Sequence, residues 1–277
     1  MVAACQISPL ACRTLCGHAT GAVHSVFSSS FNVMLKGQLV HVGGAGTLLS
    51  CIGLTVPADA LAQMLAALRP GDLVVARAGL LRLYDRAGVH ELDARAAEVV
   101  ECRLPAIGAG EPARWALARL EALRSEGRCG LPLDARAVAH LGALSGPAPT
   151  AGELAQAVEY LVGRGQGLTP SGDDLLLGYA AACAAAGRDV SGLVRAMCDA
   201  RDRTTDASAA YFDAFAHGWV NPVYGELMVA AIRRDAAAFD RAAARILSIG
   251  HTSGADALVG MRLGFASTVR VGVAVPA

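Results

Sequence analysis

The sequence predicts an α+β protein, with a β-rich domain over residues 1–105 and a helical domain over 106–277. Two observations predict it. Short apolar runs separated by turn residues fill the first part, and from Glu111 onward apolar positions recur at the helical period.

In the first part, Val23 to Leu35 is rich in Val, Phe and Ser and reads as strand. Gln38 to Val42 is a second apolar run that leads into a turn at Gly43-Gly44-Ala45-Gly46. Pro57 to Leu68 breaks the pattern with a short helix, which Pro70-Gly71 ends. Asp72 to Arg77 and Leu80 to Tyr84 form a hairpin about Gly79, and Asp93 to Val100 fits either state. In the second part, Pro112 suits a first helical position and opens a helix to Ser125. Asp134 caps the next helix, to about Leu144, and Gly146-Pro147-Ala148-Pro149-Thr150 is a turn or linker. Further helices are expected at Glu153–Val162, Asp174–Ala186, Ser191–Ala200, Asp206–His217, Pro222–Arg233, Ala236–Ile249 and Gly254–Ala266. Val269 to Val275 alternates weakly and reads as a strand returning to the sheet.

The chain has 277 residues, 54% hydrophobic and 17% charged, which describes a well-buried globular protein and excludes a disordered one. Its net charge is zero, which argues against a broad nucleic-acid-binding surface. Eight cysteines are scattered without a CxxC pair, so neither a disulfide framework nor a paired-cysteine metal site is expected. Cys12, Cys16 and His18 have metal-ligand types but match no zinc spacing. No signal peptide is recognised, and the apolar stretch Leu175–Gly187 is too short to span a bilayer. A cytoplasmic protein without membrane contact is expected.

The richest segment is Arg164-Gly165-Gln166-Gly167-Leu168-Thr169-Pro170-Ser171-Gly172-Asp173-Asp174, followed at once by an apolar helix. Gly250 to Gly260 echoes it: in both, Ser-Gly is followed by Asp three, Leu five and Gly seven residues after the Ser. The echo points to one site built twice, or to one site built from both. On one reading Ser171 with Asp174, and Ser253 with Asp256, are capping boxes, while Gly178 and Gly260 let helices approach. Capping leaves Gly165, Gly167, Thr169, Gly172 and Asp173 unexplained. On the other reading, flexible backbone ahead of a helix N-terminus admits a ligand with an anionic group. Asp173 and Asp174 would repel a bare phosphate, so they suit a bridging Mg²⁺ or a ligand with N–H donors, such as an amide. Asp173 is replaced by Ala255 in the echo, which marks it for a specialised role, whereas Asp174 and Asp256 read as shared scaffold. No P-loop, Rossmann turn, nucleophile elbow or HExxH motif is present.

The Arg164–Gly178 segment resembles the hallmark of a bacterial family linked with the oxamate carbamoyltransferase complex of allantoin catabolism, as its AllH-type subunit. His24-Ser25-Val26-Phe27 with Asn32, Thr204-Thr205-Asp206-Ala207-Ser208 and Gly250–Gly260 are also similar to family patterns. The resemblance implies carbamoyl transfer between carbamoyl phosphate and an amide such as oxamate, together with companion subunits. Asp173 and Asp174 are then the expected catalytic residues. Gly165, Gly167, Thr169, Ser171, Gly172, Thr205, Ser253, Gly254 and Asp256 are the expected substrate contacts. An anion near the motif would rely on Arg164, Arg203 or backbone dipoles. The rival readings are a non-catalytic subunit that senses a small anion or nucleotide, and a structural subunit whose motifs only cap and pack helices.

Overall fold

A computed structural model of the chain describes residues 1–147 and 149–271. The chain divides into two compact units, Met1–Cys102 and Arg103–Ala277. The α+β class expected from the sequence is the one observed, with strands concentrated in the first unit and helices in the second.

The first unit is one ten-stranded sheet. Its strands are β1 Val2–Ala3, β2 Gln6–Ile7, β3 His18–Val26, β4 Ser30–Leu35, β5 Gln38–Gly44, β6 Gly53–Val56, β7 Leu73–Arg77, β8 Leu80–Tyr84, β9 Val89–Asp93 and β10 Glu98–Val99. They lie in the order β1-β9-β8-β7-β3-β4-β5-β6-β2-β10. β1 and β2 sit towards opposite ends of that order, yet only Ala4 and Cys5 separate them. Three residue steps span about 10 Å at most, so the sheet must curl until its ends nearly meet. Helix α1, Pro9–Cys16, packs inside the curl with Ala11 and Leu15 fully buried. Ser8 caps it and Pro9 occupies its first turn. The expected strand Val23–Leu35 is two antiparallel strands, because Phe27 to Ser29 turn the chain between β3 and β4. The expected helix after Pro57 is α2, Ala58–Ala67, and Asp93–Val100 contributes the end of β9 and all of β10.

The second unit holds α3 Glu111–Leu123, α4 Ala135–Ser145, α5 Ala151–Leu161, α6 Ser171–Ala185, α7 Ser191–Asp199, α8 Asp206–Ala216, α9 Pro222–Arg233, α10 Ala236–Leu247 and α11 Ser253–Val271. Asp134 caps α4 by accepting from the Ala137 N–H, and Thr150 with Glu153 forms a full capping box on α5. α6 is buried nearly all round, as expected of a helix at the centre of a bundle. Its most extensive partner is α11. The strand expected at Val269–Val275 is not formed where it can be seen: Val269 to Val271 are the last turn of α11, and the rest lies outside the described residues.

Candidate functional site

α6 and α11 carry the two motifs, and they pack as a parallel pair. A Cβ on Gly178 would lie 2.1 Å from the Ala257 carbonyl oxygen, and one on Gly260 would lie 2.0 Å from that of Leu175. Ala257 follows Ser253 by the four residues that separate Leu175 from Ser171, so the contact is reciprocal, as across a local two-fold axis. The glycine after each Ser does the same work one helix further out. A Cβ on Gly172 would meet the Leu161 carbonyl at 2.0 Å, and one on Gly254 would meet that of Ile246 at 1.8 Å. All four glycines therefore allow backbone-to-backbone approach that no other residue permits. Both helix N-termini are brought to one end, where the hydroxyls of Thr169 and Ser253 are 3.0 Å apart.

Neither Ser is the cap that the capping-box pattern suggests. Ser171 is the first residue of α6, Pro170 holds the cap position, and no side chain caps the helix. Ser253 is likewise the first residue of α11. The acids reach away from their own helices instead. Asp173 is fully buried; its Oδ1 accepts from the Gly163 N–H at 2.8 Å and its Oδ2 accepts a short bond from the Thr204 hydroxyl. Both oxygens thus tie α6 to the loop before it and to the segment before α8. Burial raises the pKa of Asp173, opposed by the hydroxyl of Thr204, the Gly163 N–H and the nearby Ser208.

Asp256 is fully buried too, and its Oδ1 accepts from the Gly130 N–H at 2.8 Å and from the Cys129 thiol at 2.9 Å. Its Oδ2 is buried and has no partner. The Oδ2 of Asp174 is in the same condition. Burial drives the Asp174 pKa well above the usual carboxylate range, the Ser253 and Thr169 hydroxyls oppose the shift, and the charges of Asp256 and Asp173 add to it. Sequence reasoning missed Cys129 and Gly130, which fit between the two helix starts. A Cβ on Gly130 would lie 2.5 Å from the Ser171 Oγ and 2.6 Å from the Thr252 Oγ1. The one sequence signal for them is a glycine ahead of Leu131-Pro132 between two helices.

The loop ahead of α6 covers this end. Gly165 to Leu168 are exposed, and Gly165 and Gly167 have φ of +120° and +97°, backbone that favours glycine. Gly165 also lies so close to the helix start that a Cβ would be 2.6 Å from the Ser171 nitrogen. Thr205 caps α8 by accepting from the Ser208 N–H at 3.1 Å and donates its hydroxyl to the Leu168 carbonyl. The expected contacts Gly165, Thr169, Ser171, Gly172, Thr205, Ser253, Gly254 and Asp256 are therefore gathered around one helix end, with Gly167 on the covering loop.

Backbone donors there are largely engaged. The N–H of Gly172 donates to the Arg164 carbonyl, and those of Asp173 and Asp174 to the Pro170 carbonyl. Arg164 is also engaged: it donates to Asp134 at 2.6 Å and stacks over Tyr160, while Arg203 donates to the Glu159 carbonyl. The arrangement presents carboxylate oxygens that lack donors, at the positive ends of two helix dipoles. Among the described residues, no group of three or more His, Cys, Asp or Glu is placed to hold a metal ion. Among the same residues, no helix is long and apolar enough to cross a membrane.

The polar residues of His24–Asn32 belong to the first unit. His41 Nδ1 and Asn32 Oδ1 are 2.9 Å apart, the Asn32 amide donates to Ser25 Oγ at 3.0 Å, and His24 Nδ1 lies 3.1 Å from that oxygen. Burial lowers the His41 pKa to about 4, which keeps the ring neutral.

No curated protein and no solved structure matches the chain. Residues 161–265, the stretch that holds both motifs and the α6–α11 pair, match the family model described as oxamate carbamoyltransferase subunit AllH. This match links the chain to AllH-type subunits.

Proposed function

We propose that the chain is a subunit of an oxamate-type carbamoyltransferase and that the joined starts of α6 and α11 bind its amide-bearing substrate. One observation carries the reading: Asp174 and Asp256 each bury a carboxylate oxygen without a donor at the same helix end. An unpaired buried acceptor is costly, and a ligand that supplies N–H groups recovers that cost on binding. Oxamate and the carbamoyl group both bring NH₂. The AllH match gives the chemistry its class.

In the transfer, the oxamate nitrogen bonds to the carbamoyl carbon, the bond from that carbon to the phosphate oxygen breaks, and a proton leaves the nitrogen. Asp174 is the proposed base, since burial and neighbouring acids make it more basic than a free Asp. Asp256 orients the amide. Asp173, with both oxygens bound, holds the loop in place. The carboxylate or phosphate of the ligand faces the helix dipoles, because the N–H groups of Gly172, Asp173 and Asp174 already have carbonyl partners. Allantoin or purine breakdown and a reducing cytoplasm complete the proposal, and eight cysteines outside any disulfide suit that compartment.

The test is carbamoyl transfer by the complex reconstituted with its companion subunits. Asp174→Asn and Asp256→Asn each keep the helical fold by circular dichroism and lose activity, by about 10²-fold or more for Asp174. Parent-level activity in both variants would overturn the proposal.

A further inference from the structure

A cavity of about 670 Å³ lies at the other end of α6. The 15 residues of α6 put roughly 20 Å between it and the paired helix starts. Ala184, Val194 and Phe215 give it apolar walls, and Arg103, Arg188 and Arg195 are among the residues that line it. Asp189 is the one acid in the lining, and its Oδ1 already accepts from the Ser191 N–H at the start of α7. Arg188 donates to the neutral Ser267 Oγ at 2.8 Å, which leaves its charge uncompensated. Arg195 is exposed on α7 and makes no ion pair among the described residues.

The lining therefore includes three arginines and a single acid, and neither Arg188 nor Arg195 has a carboxylate partner among the described residues. Complementing the C-terminal dipole of α6 explains Arg188, which stands just beyond that helix end. It does not explain Arg195, which projects from the body of a different helix. The volume falls in the ordinary range of small-molecule sites and far exceeds what a bare phosphate fills. Guanidinium forks match phosphate and carboxylate oxygens, and the apolar walls match a hydrocarbon body.

We infer that this cavity is a second ligand site, for an organic anion that joins an aromatic or aliphatic body to a phosphate or carboxylate group. The inference does not depend on the carbamoyl-transfer reading.

Calorimetry of the full chain tests it with phenyl phosphate and phenylacetate as probes, against inorganic phosphate and phenol. At least one aromatic anion binds about tenfold or more tightly than either control, since it uses both the charge and the walls. Which of the two binds tells phosphate from carboxylate as the preferred head group. Arg195→Ala, a surface change, weakens that binding by about tenfold. Asp174→Asn leaves it unchanged. Three results would overturn the inference: no binding of either aromatic anion, binding unchanged in Arg195→Ala, or binding lost in Asp174→Asn, which would locate the ligand at the other end of α6.

Discussion

Replacing Gly178 by Ala tests whether the parallel helix pair is the device that assembles the site. The added Cβ would lie 2.1 Å from the Ala257 carbonyl oxygen, 2.8 Å from its carbon and 3.0 Å from its Cα. All three are backbone atoms, so no side chain can rotate out of the way. Reaching an ordinary contact of about 3.4 Å requires the two backbones to part by roughly 1.3 Å. A gap of that size forfeits about half of the dispersion energy at each atom pair along the seam. Overpacking of this kind costs about 1–3 kcal/mol, and a backbone clash belongs at the upper end. Helix propensity pulls the other way, since Ala is better than Gly by about 1 kcal/mol. The expected net loss is about 2 kcal/mol. Gly142, exposed in α4 with open space where a Cβ would go, is the control, and Gly142→Ala gains up to about 1 kcal/mol. Urea unfolding read by tryptophan fluorescence suits the question, because both tryptophans, Trp115 and Trp219, are in the helical unit. If Gly178→Ala moves the midpoint in the same direction as Gly142→Ala, the close-approach argument is wrong.

Three further outcomes follow from the site. Asp173 and Asp174 have folded pKa values above the ordinary 3.8, so the unfolded chain ionises first as pH rises, and the stability they confer is lost between 3.8 and their raised values. Asp174→Asn should therefore be at least as stable as the parent at pH 7, with a flatter stability profile above pH 4; an unchanged profile in urea titrations would remove the assigned cause. Asp256→Ala leaves the Gly130 N–H without its acceptor and should lower stability by about 1–3 kcal/mol, whereas Asp256→Asn, which keeps one carbonyl oxygen, costs less; equal losses in thermal melts would count against that bond. Alkylation at pH 8 followed by mass mapping should mark the exposed Cys5 and Cys16, and spare Cys129, whose thiol burial pushes up to about 12, until the chain is unfolded.

The local layer of this protein was legible in the sequence. Pattern alone separates the strand-rich part from the helical part, finds the helix starts at Asp134 and Asp206, and shows that Gly250–Gly260 repeats Gly165–Gly178. Helix α1 escaped because eight residues offer barely two turns of period, although Ser8-Pro9 is a sound helix start. Only the tertiary structure decided that the ends of the sheet nearly meet around α1 and that the two motifs form one place. It also decided which acid is free. The motif comparison marks Asp173 as special and Asp174 and Asp256 as scaffold, and the family resemblance makes Asp173 and Asp174 the expected catalytic pair, but the fold gives Asp173 two partners and leaves each of the others with a bare buried oxygen. Periodicity and capping are properties of neighbours along the chain. The partner of a carboxylate is whatever packing brings to it, and here Gly130 comes to Asp256 from 126 residues away.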